Sequence, residues 1–119
     1  MNWSSLKYMN RMLVIDMSHA IGDRVRFLGW VDDCHDHGGI LFLGAHDRSG
    51  VVQLMVIPDR AVAYETAKMC HNECAIEAIG TVKLRPGNIE KVVSIEDIEI
   101  DVESLTILSK NTLKRSLSL

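Results

Sequence analysis

At 119 residues with 47% hydrophobic content, the chain suits one domain with a real core. A formal charge of −3 speaks against a protein that lives on nonspecific phosphate contacts, and no apolar run nears the ~20 residues that cross a bilayer. Met1–Asn10 shows no signal-peptide pattern, and Cys34, Cys70 and Cys74 make no even disulfide framework, so a reduced, cytoplasmic chain without a membrane anchor is expected.

After a leading segment (1–21), Arg24–Val31 alternates, with Val25, Phe27, Gly29 and Val31 on one face and Arg24 and Arg26 on the other; this is a half-buried strand. Asp32–Gly39 (Asp-Asp-Cys-His-Asp-His-Gly-Gly) reads as a turn between two apolar runs. Ile40–Gly44 is a second strand, His46–Gly50 a tight connection, and Val51–Ile57 a β-branched third strand stopped by Pro58. Asp59 is placed to cap a helix running to about Asn72, with Ala61, Tyr64, Ala67 and Lys68 at helical spacing. Cys74–Leu84 is a fourth strand broken by Gly80, and Arg85–Asn88 is a loop by composition. Glu96 and Asp97 fall in a bend. Ile98–Val102 alternates again, and Leu105 and Ile107 prolong the strand. The residues from 109 to the end form a tail.

Three strands, a helix and two strands is the chain order of the five-stranded OB-fold, a Greek-key barrel: all-β with one helix, β-β-β-α-β-β. The domain is placed at 22–108. Other small barrels share parts of this pattern; the helix between the third and fourth strands favours OB. Such barrels bind oligonucleotides on the face of strands two and three. If Leu41 and Leu43 face the core, Phe42 points outward; if Val52, Leu54 and Val56 do, so does Gln53. Glu99 sits outward by the same parity against Ile98 and Ile100. An exposed ring beside an amide is a stacking platform with a base-edge reader. The plainer alternative is that Phe42 covers a neighbouring element or a dimer contact, with Gln53 merely solvated.

Gly29-Trp30-Val31, Asp36-His37-Gly38-Gly39-Ile40-Leu41-Phe42 and Asp47-Arg48-Ser49-Gly50-Val51-Val52-Gln53 together resemble the anticodon-binding domain of aspartyl-tRNA synthetases and their asparaginyl relatives. The resemblance extends over about 22–108. It implies tRNA or other single-stranded RNA as partner, with Phe42, Gln53 and Glu99 as the base-reading residues. Arg24, Arg26, Arg48, Lys83, Arg85 and Lys91 are candidate phosphate contacts. Bacterial members carry a run of arginines where this chain has Asp33, Cys34 and His35. The class II catalytic motifs that should follow such a domain are missing, so this polypeptide is not expected to aminoacylate.

Cys34-x-x-His37 and Cys70-His71-x-x-Cys74 supply zinc-ligand types, but at irregular spacing, and the first hairpin tip and the helix should lie toward different ends of the barrel. No metal or other cofactor is expected. The five histidines are scattered and no serine or cysteine has an evident base, so no catalytic residue is assigned. Two functions stay open: an RNA-binding module, presenting tRNA to a separate synthetase-like partner or competing for its anticodon, and a protein-interaction barrel that has lost RNA binding. Leu113 and Leu117, spaced i,i+4 in the tail, suit a helix face buried in a homodimer.

Overall fold

A computed structural model describes residues 9–70, 73–87 and 94–109. Five strands, β1 (Arg24–His37), β2 (Ile40–Asp47), β3 (Gly50–Val56), β4 (Ala75–Leu84) and β5 (Ile98–Ser109), close into a barrel in the order β1-β2-β3-β5-β4. One helix, α1 (Ala61–Lys68), joins β3 to β4. All pairings are antiparallel except β3 with β5. This is the OB arrangement expected from the chain order.

The core follows strand parity. Val25, Phe27 and Val31, Leu41 and Leu43, Val52, Leu54 and Val56, and Ile98, Ile100 and Val102 all turn inward and are buried. Burying each such side chain contributes roughly 1.5–3 kcal/mol. Gly29 and Gly80 allow close backbone approach: a Cβ on the first would stand 2.2 Å from the His46 carbonyl oxygen, and on the second 2.2 Å from that of Asp101. Contrary to the expectation from sequence, Gly80 does not break β4; it lets β4 lie against β5 at a register shift that leaves Glu103 unpaired.

The largest departure from the expected elements is Asp32–Gly39. Most of it is strand, and only Gly38 and Gly39 turn, with φ of 62° and 92°. Two successive positive-φ residues suit a two-residue hairpin whose twist matches its strands. The Asp36 carboxylate accepts the Gly39 N–H at 2.9 Å. The segment lacks apolar alternation because its residues from 33 to 37 are exposed. A second hairpin turns at Arg48–Ser49, where the buried Asp47 carboxylate accepts the N–H groups of Ser49 and Gly50, and that of Val14.

Helix α1 starts later and ends earlier than the periodicity implies. Arg60 N–H bonds back to the Ile57 carbonyl, so Pro58 and Asp59 belong to a turn and Arg60, not Asp59, occupies the N-cap. Ala63 and Ala67 enter the core, and α1 packs chiefly on β5. In the leading segment, Val14–His19 forms a 3-10 helix that buries Val14 and Met17. Ile95–Asp97 forms a short one before β5. Arg85, Pro86 and Gly87 lie outside strands as expected; the tail with Leu113 and Leu117 lies outside the described residues.

Candidate nucleic-acid interface

The outward face of β2, β3, β5 and β4 carries a row of polar side chains set by register. Gly44 pairs with Gln53, Gln53 with Glu99, and Glu99 with Lys83. Gln53 Nε2 donates to Glu99 Oε1 at 2.8 Å, and Lys83 Nζ stands 3.3 Å from Glu99 Oε2. The second contact is an ion pair without hydrogen-bond alignment, so Oε2 is buried with no hydrogen-bond donor. A carboxylate can only accept, so it holds the Gln53 amide with NH2 toward itself and the carbonyl oxygen turned away. That oxygen is the acceptor the face offers to a ligand.

Glu99 thus points outward by parity, yet it is 0% exposed, which corrects the expectation of an open acceptor. Parity fixes direction only. The flanking Gln53 and Lys83 contact its carboxylate, and the register that brings them there spans three strands.

One step along the face, Phe42 pairs with Met55 on β3 and with His35 on β1, and is half-buried. Its ring meets that of His37 edge-on, with centroids 5.7 Å apart. In the other direction, His46 stacks on the buried Trp30 at 5.5 Å, and its Nδ1 lies 2.8 Å from Asp32 Oδ1. A ring beside a fixed amide acceptor is able to stack on a planar group and to accept a hydrogen bond from its edge.

The candidate phosphate contacts divide. Arg24 Nε is 2.7 Å from Glu103 Oε2, and Arg26 Nε 2.6 Å from Glu77 Oε2. These two would have to break ion pairs to reach a phosphate. Arg85 Nε donates to the Ile98 carbonyl, Arg48 is exposed at the second hairpin turn, and Lys91 lies outside the described residues.

The family description "OB-fold nucleic acid binding domain", under the heading of the tRNA anticodon, matches residues 25–108. The chain belongs to this family. Curated relatives of this OB-fold domain include the aspartate–tRNA(Asp/Asn) ligases of Persephonella marina, 39% identical over 92 residues, and of Prochlorococcus marinus (strain MIT 9303), 37% identical over 97. The alignments take in 75% and 80% of this chain but 15% and 16% of those ligases, so the chain spans about a sixth of their length. Two solved structures share its fold. Asparaginyl-tRNA synthetase from Pyrococcus horikoshii, complexed with asparaginyl-adenylate, superposes with a TM-score of 0.72 at 24% identity, over 84% of this chain and 22% of that one. An OBody bound to hen egg-white lysozyme superposes with a TM-score of 0.72 at 19% identity, over 87% of this chain and 98% of its own.

Cys74 is fully buried and Cys70 nearly so, both in the core, while Cys34 is exposed on β1. Among the described residues no three His, Cys, Asp or Glu side chains converge as metal ligands would; His71 lies outside them. The expected separation of hairpin tip and helix does not hold: the Tyr64 hydroxyl of α1 donates to the Gly39 carbonyl at 2.5 Å. Helical spacing puts Tyr64 beside the buried Ala63 and Ala67, but no pattern in the sequence marks the hairpin turn as its partner.

Proposed function

We propose that this domain binds the single-stranded anticodon loop of a tRNA of the Asp/Asn type, and acts by binding rather than by aminoacylation. The observation that carries the reading is the Gln53–Glu99 hydrogen bond one step from Phe42 on the outward barrel face. Phe42 supplies a stacking surface. Gln53 presents its carbonyl to a donor on a base edge, and Glu99, besides holding that amide, has one oxygen still lacking a donor. An amino group on a base would satisfy it, once the Lys83 ammonium swings aside. Lys83, in the row itself, and Arg48 and Arg85 are the candidates for the RNA backbone. The names of the curated relatives support the RNA class. A synthetase-like partner in the cytoplasm fits the same role.

Anisotropy titration of the chain with labelled anticodon stem-loops, against loops of scrambled sequence, tests this. Phe42→Ala should weaken binding by roughly 5- to 150-fold, because stacking a base on a ring is worth ~1–3 kcal/mol. Gln53→Ala should mainly flatten the preference among loop sequences, since edge contacts discriminate more than they grip. If neither substitution changes binding, the aromatic face belongs to a protein interface, the role left open by the acidic first hairpin.

A further inference from the structure

The strand β1 outruns its partner on one side. It pairs with β4 only as far as Trp30, opposite Ala75, while its pairing with β2 continues to His37, opposite Ile40. The Val31 N–H still donates to the Cys74 carbonyl, and the Val31 carbonyl accepts the Glu73 N–H. Asp33, not Asp32, then finds the next partner on β2, Gly44, so Asp32 is the extra residue of a β-bulge. Beyond it the hairpin projects as an arm whose β1 residues, 33–37, are all exposed. Among the described residues no strand pairs with the outer edge of that arm.

The turn fixes which backbone groups lie on this edge. Gly38 and Gly39 alone make it, so His37 and Ile40 exchange N–H and carbonyl bonds, as do His35 and Phe42. Direction alternates along a strand, so Cys34 and Asp36 aim their N–H and C=O groups away from β2, into solvent. Charge usually guards such an edge against pairing. Here the charges complement each other about His35. Antiparallel pairing with a second copy, with the twofold axis at His35, sets Cys34 of each copy against Asp36 of the other, and every free N–H and C=O of both edges finds a partner. Asp33 then faces His37 of the other copy in the closely spaced positions between those bonds. An axis at Cys34 would set Asp32 against Asp36, and one at Asp36 would set that carboxylate against its own copy; like charges directly opposite are destabilising. Both partners of the favoured pair have capacity to spare. Asp33 Oδ1 accepts the Gly44 N–H, but Oδ2 is 3.6 Å from His35 Nε2, too far for a hydrogen bond. Among the described residues His37 makes ring contacts alone, with His35 and Phe42.

We propose that the outer edge of this arm is a homodimer interface, in which two copies pair antiparallel about His35 into one β2-β1-β1-β2 sheet. The twofold axis stands normal to that sheet, so the outward faces of both arms fall on the same side. Phe42 and His35 of one copy then share a cross-strand row with His35 and Phe42 of the other. At ~4.8 Å per strand, the two Phe42 backbones stand about 14 Å apart. The contact is narrow, so the dimer is a weak one that forms and parts with concentration. It is built on backbone groups and opposite charges, and it goes beyond the RNA-binding reading without depending on it.

Sedimentation equilibrium of the full chain, from micromolar to millimolar concentration without RNA, tests this. The mass should rise toward that of two chains. Cys34→Pro removes only an N–H aimed away from β2, a change that edge strands tolerate, and should hold the chain monomeric throughout. His37→Asp sets carboxylates against each other at both ends of the seam, so association should weaken by about tenfold. Adding Asp33→Lys to it restores opposite charges there and should recover the lost affinity, which a mere loss of the His37 ring contacts would not allow. Thermal melts establish that the barrel is intact in each variant; should Cys34→Pro unfold it, the charge variants decide alone. A chain that stays monomeric at millimolar concentration overturns the proposal. So does a dimer that survives Cys34→Pro, as one held by Leu113 and Leu117 of the tail would. A double charge variant that associates no better than His37→Asp alone overturns it as well.

Discussion

The outer surface of the barrel has two regions of opposite character. On the β1–β4–β5 side, cations and carboxylates neutralise each other at short range: Arg24 with Glu103 and Arg26 with Glu77, all four side chains 29% exposed or less. On the β2–β3 side and its hairpin extension the Asp32 and Asp33 carboxylates lie beside imidazoles, at His46 and His35, and Phe42, His37 and the Gln53 amide carry the rest of the surface. The first region ties neighbouring strands together; the second leaves rings and an amide at the surface. A barrel of net charge −3 can still have a face for RNA if that face relies on stacking and edge contacts rather than on cations.

The sharpest break of this contrast comes from two glycines. A Cβ at Gly80, on the ion-paired side, would meet backbone atoms of Asp101 that cannot retreat without parting β4 from β5. Gly80→Ala should therefore cost about 3 kcal/mol, at the upper end for overpacking. A Cβ at Gly44, on the open side, would meet only the Asp33 carboxylate, at 2.6 Å, on an exposed side chain that can turn aside by giving up its bond from the Gly44 N–H to water. Gly44→Ala should cost under about 1 kcal/mol. Urea denaturation of both variants measures the difference, and equal losses would mean that the two sides are equally rigid.

A smaller effect separates the ion pairs from ligand binding. The Arg26 and Glu77 side chains are 27% and 23% exposed, so Arg26→Met should lower stability by about 1 kcal/mol, between the values for exposed and fully buried pairs. Stem-loop affinity should stay within about twofold, as expected if that arginine serves the barrel and contributes no phosphate contact. A drop in the salt slope for this variant would show that Arg26 leaves Glu77 for the RNA.

These contrasts were unequally legible in the sequence. Strand parity in Arg24–Val31, 51–57 and Ile98–Val102 gave the core, because each strand has one dry face. The same rule placed Phe42 and Gln53 outward. It failed at Asp32–His37, where a strand wet on both sides has no hydrophobic period to detect and a single bulged residue reverses parity unseen. It was incomplete at Glu99, whose burial depends on neighbours brought together from β3 and β4, about 46 and 16 residues away, by register. The pairing of Arg24 with Glu103 was hidden for the same reason. It needs a bulge in β5 that composition does not announce.

The smallest expected effect concerns Cys34, on the inner-parity side of the hairpin extension. Partial burial, then the charges of Asp33 and Asp36, push its thiol up from the ordinary cysteine value. The thiolate is the reactive form, so alkylation by iodoacetamide near neutral pH should be slower than for a free cysteine. Asp33→Asn with Asp36→Asn separates the causes, because asparagine keeps a carbonyl oxygen to accept the Gly44 and Gly39 N–H groups and removes only the charge. Removing negative charge favours the thiolate, so the thiol falls toward its ordinary value and alkylation should quicken, by about two- to fivefold for screened charges at a surface. The gain should shrink at high salt, where exposed charges no longer reach the sulfur. Cys70 and Cys74 are buried and should stay unlabelled in the folded chain. A rate unmoved by the two substitutions at low salt would leave burial as the whole cause.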